Sequence, residues 1–198
     1  YIYSEAHCCS EKGLPMLRAL VLEYQNDPTV YNIEDQYLFG RNLMIAPILT
    51  EEDERKIYFP EGEWVDFWSF KKYNGNKWVN YHCGLEKIPV FVKSGTIIPF
   101  GPSKQWITDQ EKDSLSLLVI PDSLNHIESY ELIDSNKLKI EAKISESILS
   151  IKIHFDSSIK INVEILEQSG IQEIEVNGKK VKIESKINGK MITEFMSL

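Results

Sequence analysis

Apolar and polar positions follow two different rhythms along this chain. In residues 1–12, Ile2, Tyr3, Ala6 and Cys9, with Leu14 just beyond, recur at spacings of three to five. That is the rhythm of an amphipathic helix, and Gly13 and Pro15 supply its stop. No Ser, Thr, Asp or Asn stands ahead of Tyr1 to cap the first turn, although a helix leaves about four amide N–H groups there that need partners. The chain therefore reads as a fragment or processed product of something longer. Residues 16–22 form a nearly continuous apolar run, the pattern of a strand covered on both faces in a parallel sheet. Asn26, Asp27 and Pro28 then turn the chain. A short helix capped near Asn32 is predicted through Gln36 and Leu38, ended by Gly40, and residues 42–49 return as another buried strand. Helix, strand, helix is an α/β alternation, and a lone unit of this kind cannot close a sheet or bury its own faces.

From Lys56 onward strands dominate, with Gly, Pro and Asn punctuation about every ten residues, as in a sandwich or barrel. Three late sets alternate with polar residues: Leu138, Ile140, Ala142 and Ile144; Leu149, Ile151, Ile153 and Phe155; Ile159, Ile161, Val163 and Ile165. Each predicts a half-buried strand. Asn177-Gly178 accepts the positive φ angles of a type I′ turn, so a two-residue hairpin is expected there, with Ile174 opposite Val181. Polar residues interrupt the strand pattern at residues 101–113, where a domain boundary is placed.

Composition narrows the partners. The 198 residues, 42% hydrophobic and 26% charged, are ordinary globular figures. The longest apolar run, Leu43 to Leu49, is interrupted by Pro47 and falls far short of the roughly 18 residues a membrane-spanning helix needs. A net charge of −8 without a Lys/Arg stripe offers nothing to phosphate backbones and repels anionic lipid. Neither nucleic acid nor membrane is an expected partner. Cys8, Cys9 and Cys83 are an odd set with two adjacent, so neither a disulfide framework nor a CxxC metal knuckle can be drawn. Reduced thiols, no Asn-x-Ser/Thr acceptor and no signal peptide favour the cytoplasm.

The common phosphate-cradle, zinc-protease, nucleophile-elbow and EF-hand patterns are absent from the sequence. His7, His82, His126 and His154 share no metal-ligand spacing, so no metal and no cofactor is expected. Glu23 and Asp27 follow the apolar run at its C-terminal end, the edge where α/β barrels place their chemistry, which makes them candidate substrate-binding residues. Capping and loop hydrogen bonding are the competing roles. Arg18 lies within the apolar run and must be paired, because an unpaired buried charge is very costly. Its expected partner is the chain that would complete the barrel. Trp64, Phe67, Trp68, Tyr73, Trp78 and Tyr81 are either core and interface or a stacking platform for sugar C–H faces.

Five blocks, Pro15-Met-Leu-Arg-Ala-Leu20, Asp35-Gln-Tyr-Leu-Phe-Gly40, Leu43-Met-Ile-Ala-Pro47, Phe59-Pro-Glu-Gly-Glu-Trp64-Val-Asp66-Phe-Trp68 and Ile88-Pro-Val-Phe-Val-Lys-Ser-Gly-Thr-Ile-Ile-Pro99, together resemble glycoside hydrolase family 31 in content and order. Residues 117–134 more weakly resemble the opening of the family's last β-domain, where the family often carries Asp-Asp-Gly and this chain has Ile133-Asp134-Ser135.

The resemblance implies a mainly β chain of two consecutive β-sandwich domains, preceded by the last α/β elements of a truncated (β/α)8 barrel. Residues 1–41 would end the catalytic barrel, 42–112 form the proximal sandwich and 113–198 the distal one. Trp64, Phe67 and Trp68 would pack sandwich against barrel, each ring worth on the order of 2–3 kcal/mol when buried. The implied parent is a retaining α-glycosidase acting on an oligosaccharide, with its nucleophile and acid/base aspartates upstream of Tyr1. Residues 74–82 are more similar to the α-xylosidase branch than to typical α-glucosidases. The chain alone would be inactive, and poorly soluble or homo-oligomeric. Its rivals are an independent carbohydrate-binding or structural β-sandwich module, and a relative that has lost its aspartates.

Overall fold

The computed structural model describes residues 1–101, 114–124, 127, 130–131, 139–145, 147–154, 160–166, 171–181, 185–187 and 190–196. The chain divides into two compact units at Ser94/Gly95, with Tyr1 and Tyr3 grouping with the second.

In the first unit, helix α1 (Ile2–Lys12) ends as predicted. Gly13 takes φ +65°, and the Leu14 N–H donates to the Cys9 carbonyl at 2.9 Å, which closes the last turn in a Schellman arrangement. The buried face is not the expected one. Ser4, Glu5 and Cys9 are buried, whereas Ile2 and Tyr3 are 61% and 68% exposed. An ion pair with its carboxylate buried accounts for this orientation: Glu5 accepts from the Arg41 backbone N–H at 3.0 Å and from Arg41 Nη2 at 2.8 Å.

The main sheet of this unit has six strands: β1 (Leu17–Ala19), β2 (Tyr37–Phe39), β3 (Leu43–Ile45), β5 (Glu63–Asp66), β6 (Lys72–Asn74) and β8 (Val90–Lys93). Their order is β1-β2-β3-β8-β5-β6, and every pairing is antiparallel. Strands β4 (Glu54–Phe59) and β7 (Lys77–His82) pair separately as an antiparallel ribbon. The parallel, doubly covered strand expected over residues 16–22 is thus replaced by a three-residue edge strand, followed by a 3-10 turn at Leu20–Leu22. Arg18 is its inward residue, and Leu17 and Ala19 face out. Strands β1 and β2 therefore share a sheet with β3 and β8.

The helix expected from Asn32 to Leu38 is also absent. A 3-10 helix at Pro28–Asn32 precedes that position, capped by Asp27 with Pro28 in its first turn. Gly40 stops no helix but takes φ +67° in the turn from β2 to β3. The core of this unit comprises Leu20, Val30, Leu38, Met44, Ala46, Ile57, Tyr58, Phe59, Trp64, Tyr73 and Phe91.

The second unit is built from β9 (Thr96–Phe100), β10 (Ser114–Ile120), β11 (Tyr130–Glu131), β12 (Lys139–Ser145), β13 (Ile148–His154), β14 (Lys160–Leu166), β15 (Glu173–Val176), β16 (Lys179–Val181), β17 (Ser185–Ile187) and β18 (Lys190–Met196). These form two five-stranded sheets, β17-β18-β14-β10-β9 and β11-β12-β13-β15-β16. The inward rows Ile161, Val163 and Ile165 of one sheet and Leu149, Ile151 and Ile153 of the other share one core, as the alternation predicted. Leu138, Phe155 and Ile159 lie outside the described residues.

Two pairings, β10 with β14 and β13 with β15, are parallel. Strand β9 pairs with β10, and the Gly95 N–H donates to Ile120 O at 2.8 Å, so the division between the units precedes the 112/113 boundary read from the polar stretch. The hairpin has the predicted register, Ile174 opposite Val181, with φ +50° at Asn177 and +75° at Gly178.

Candidate functional site

The residues singled out from the sequence sit in the loop after β1, and the chain itself engages them. Arg18, 2% exposed, donates through Nε to Pro15 O at 2.8 Å, through Nη2 to the Cys9 sulfur at 3.1 Å, and through Nη1 to the Glu23 carboxylate. The expected partner from a completed barrel is therefore replaced by Glu23, five residues along the same chain. The hydroxyl of the adjacent, half-buried Tyr24 is held well above its ordinary pKa, first by burial and then by the charges of Glu23 and Glu61.

Asp27 is engaged on both oxygens. Oδ1 accepts the Thr29 N–H at 2.9 Å, and Oδ2 accepts the Tyr58 hydroxyl at 2.6 Å. The Tyr58 bond holds the carboxyl below its usual range, with the Thr29 bonds adding to it against a smaller effect of desolvation. Tyr58 is raised, by burial first and by Asp27 second. Glu23 and Asp27 thus act, in this structure, as partners of Arg18 and Tyr58.

Sequence reasoning missed two buried polar anchors. Gln36, 1% exposed, pairs with the backbone of Tyr58, Nε2 donating to the carbonyl and Oε1 accepting the N–H, each at 2.8 Å. Asp66, also 1% exposed, accepts from the Trp68 and Ser69 N–H groups at 2.8 and 2.7 Å and from the Tyr81 hydroxyl at 2.5 Å. Burial, and then this carboxylate, push the Tyr81 hydroxyl far above its ordinary pKa. An Asp two positions before a turn gave a local signal for the Asx bonds, but nothing local pointed to Tyr81.

The aromatic cluster divides. Trp64 is fully buried and donates its indole N–H to Pro60 O at 3.0 Å, and Tyr73 stacks on Phe59 at 4.7 Å, so both belong to the core of this chain. That corrects the expectation of Trp64 at a seam with a barrel. Trp68 is 43% exposed, with its indole N–H on Ile88 O at 2.7 Å, and packs edge-on against the half-buried Phe67 at 5.0 Å. Trp78 is 49% exposed.

His7 lies 3.6 Å from Glu11, and His82 3.5 Å from Asp53, both as exposed pairs. His126 and the side chain of His154 lie outside the described residues. A cavity of about 380 Å³ between residues 47–53 and 83–89 is lined by Glu51, Glu52 and Asp53 together with Cys83 and Ile88. The Cys83 thiol is raised by burial and then by Glu86, and it donates to Lys87 O at 3.3 Å. Among the described residues, no helix is long and apolar enough to cross a membrane.

By fold, this is a mainly β chain of two units, with one α-helix among the described residues, at its start. Residues 13–98 match the glycosyl hydrolase family 31 C-terminal domain. Those residues carry that family's C-terminal domain. An isomaltosyltransferase of Sporosarcina globispora is 44% identical over 107 residues, 54% of this chain and 10% of the relative. An α-glucosidase of Saccharolobus solfataricus is 32% identical over 98% of this chain and 26% of its own length, and relatives named α-xylosidase also match. The solved family 31 dextranase of Flavobacterium johnsoniae, complexed with glucose, superposes with a TM-score of 0.85 at 27% identity, over 99% of this chain and 29% of the dextranase. The chain thus spans between a tenth and about a quarter of the length of these two curated relatives.

Proposed function

We propose that this chain is the C-terminal part of a retaining α-glycoside hydrolase, α-xylosidase-like or an α-glucosidase, acting on non-reducing-end α-linked sugars. The observation that carries this reading is the likeness over 99% of the chain to less than a third of a family 31 enzyme. In that chemistry one carboxylate attacks the anomeric carbon, a second protonates the leaving oxygen, and water then releases the sugar with net retention. The reading assigns neither carboxylate to this chain. Both would come from a catalytic barrel outside it, and the chain alone is inactive.

What this portion contributes is a rigid support. Ile2, Tyr3, Leu14, Leu17, Leu22 and Tyr31 are all 40% or more exposed, apolar side chains suited to packing on a neighbouring domain. Arg18, Glu23 and Asp27 hold the loop after β1 in shape. The free thiols of Cys8, Cys9 and Cys83 support a reducing, cytoplasmic setting. The resemblance of residues 74–82 favours α-xylosides over α-glucosides.

The test compares this chain with a longer protein that includes the segment encoded upstream, using aryl α-xylosides and aryl α-glucosides and following the anomer released by NMR. Turnover with retention by the longer protein alone is expected. Turnover by the 198-residue chain at rates that scale with its purity would overturn the assignment.

A further inference from the structure

One face of the β4–β7 ribbon carries a group of side chains that the fold leaves unengaged. The register sets Lys56 opposite Asn80 and Tyr58 opposite Trp78. Residues two apart on a strand share a face, so all four project to the same side. Tyr58 is buried, 5% exposed, and its hydroxyl is anchored on Asp27 at 2.6 Å. Trp78 leans on it, ring centroids 5.2 Å apart at 49°. The indole is therefore supported from beneath by a fixed ring while half of its own surface faces solvent.

Lys56 and Asn80 are exposed beside it, and with Trp78 they line, among the described residues, an open concavity of about 490 Å³. The Trp78 indole N–H, the Asn80 carboxamide and the Lys56 ammonium make no hydrogen bond or ion pair with the described residues. Trp68 differs: it is similarly exposed, but its N–H is occupied by Ile88 O. Trp64 is sealed in the core. Of these three tryptophans, Trp78 alone presents both a free ring face and a free polar edge.

We propose that this face binds a neutral oligosaccharide, with Trp78 as the stacking platform and Asn80 and Lys56 bonding hydroxyls at the sugar's rim. A pyranose offers a flat patch of C–H groups bordered by hydroxyls that both donate and accept. The indole matches the patch, the carboxamide does both jobs of the rim, and the ammonium and indole N–H donate. The ribbon beyond is polar, with Glu54 and His82 paired and both exposed, so it lacks the extended apolar row an amphipathic helix would need. The net charge of −8 disfavours nucleic acid.

The test is titration calorimetry of the chain with isomaltotriose and, separately, maltotriose. Saturable binding of at least one sugar, with a Kd of about 1 mM, is expected for an exposed single-platform site. Trp78→Ala is expected to weaken binding about tenfold or more, and Asn80→Ala about threefold, while Trp68→Ala binds as the wild type does. Near-ultraviolet circular dichroism checks that each variant is folded, and Trp78→Phe, which keeps a smaller ring on Tyr58, is expected to bind at an intermediate strength. No saturable heat with either sugar at tens of millimolar, or undiminished binding by folded Trp78→Ala, overturns the proposal. Hydrolysis plays no part in the readout, so failure here leaves the glycosidase assignment standing, and the reverse also holds.

Discussion

The Gln36 side chain reads the backbone of Tyr58 as a neighbouring strand would, one bond to its N–H and one to its carbonyl, both at 2.8 Å and both buried. It joins a residue just before β2, in the six-stranded sheet, to the second-last residue of β4 in the separate ribbon. Removing the carboxamide leaves two buried backbone groups without partners. Gln36→Ala is therefore expected to lower unfolding stability by about 2–4 kcal/mol, read from the midpoint of urea unfolding at unchanged slope.

The Tyr58–Asp27 bond makes a pH-dependent contribution. Asp27 is depressed in the folded chain, so its stabilisation is present above the carboxylate's unfolded pKa of about 4 and fades as pH falls through the lower folded value. Tyr58 is raised, so its share is complete below the unfolded tyrosine pKa of about 10 and fades as pH climbs through the higher folded value. Tyr58→Phe is expected to be less stable than wild type between about pH 5 and 9, with the gap narrowing on both sides. Thermal unfolding across pH measures this, and a gap of constant size would contradict it.

Asn177 serves both the hairpin and the neighbouring strand. Its backbone takes φ +50°, and its side chain accepts from the Ile153 N–H at 2.8 Å and donates to the Ile153 carbonyl at 3.3 Å. Asn177→Ala loses both bonds and incurs a left-handed backbone penalty besides, an expected loss of about 2 kcal/mol. Asn177→Gly keeps the backbone freedom and loses only the side-chain bonds, so it is expected to fall between the two in chemical denaturation.

The exposed apolar residues between Ile2 and Tyr31 make self-association the expected state of the isolated chain. Light scattering at micromolar concentration should report oligomers. Replacing Leu17 and Tyr31, 60% and 55% exposed, by Ser should shift the population toward monomer. A monodisperse wild-type monomer would show that this surface needs no cover.

Much of the second unit was legible in advance, because its signals are local. A two-residue period over Leu149, Ile151 and Ile153 states which side of the strand faces inward whatever the partner, and Asn-Gly states a turn geometry. Residues 16–38 misled for the opposite reason. An apolar run does not distinguish a buried parallel strand from a short edge strand followed by a 3-10 turn, and here the inward residue was the cation, Arg18. The candidate carboxylates were found in the sequence, but their partners were not: Glu23 faces Arg18 five residues away, and Asp27 faces Tyr58 thirty-one residues away.

By itself, then, the sequence determined the end of helix α1 at Gly13, the inward rows of β13 and β14, the register of the 174–181 hairpin and the likeness of residues 13–98 to the family 31 C-terminal domain, since each follows from neighbouring residues or from a run of matching positions. Only the tertiary structure decided that β10 lies parallel to β14, that Trp64 is sealed while Trp78 is open, and that Gln36 closes on Tyr58. Those outcomes depend on which distant segments meet. Burial and hydrogen-bond satisfaction are properties of the assembled neighbourhood, and no periodicity along the chain encodes the neighbour.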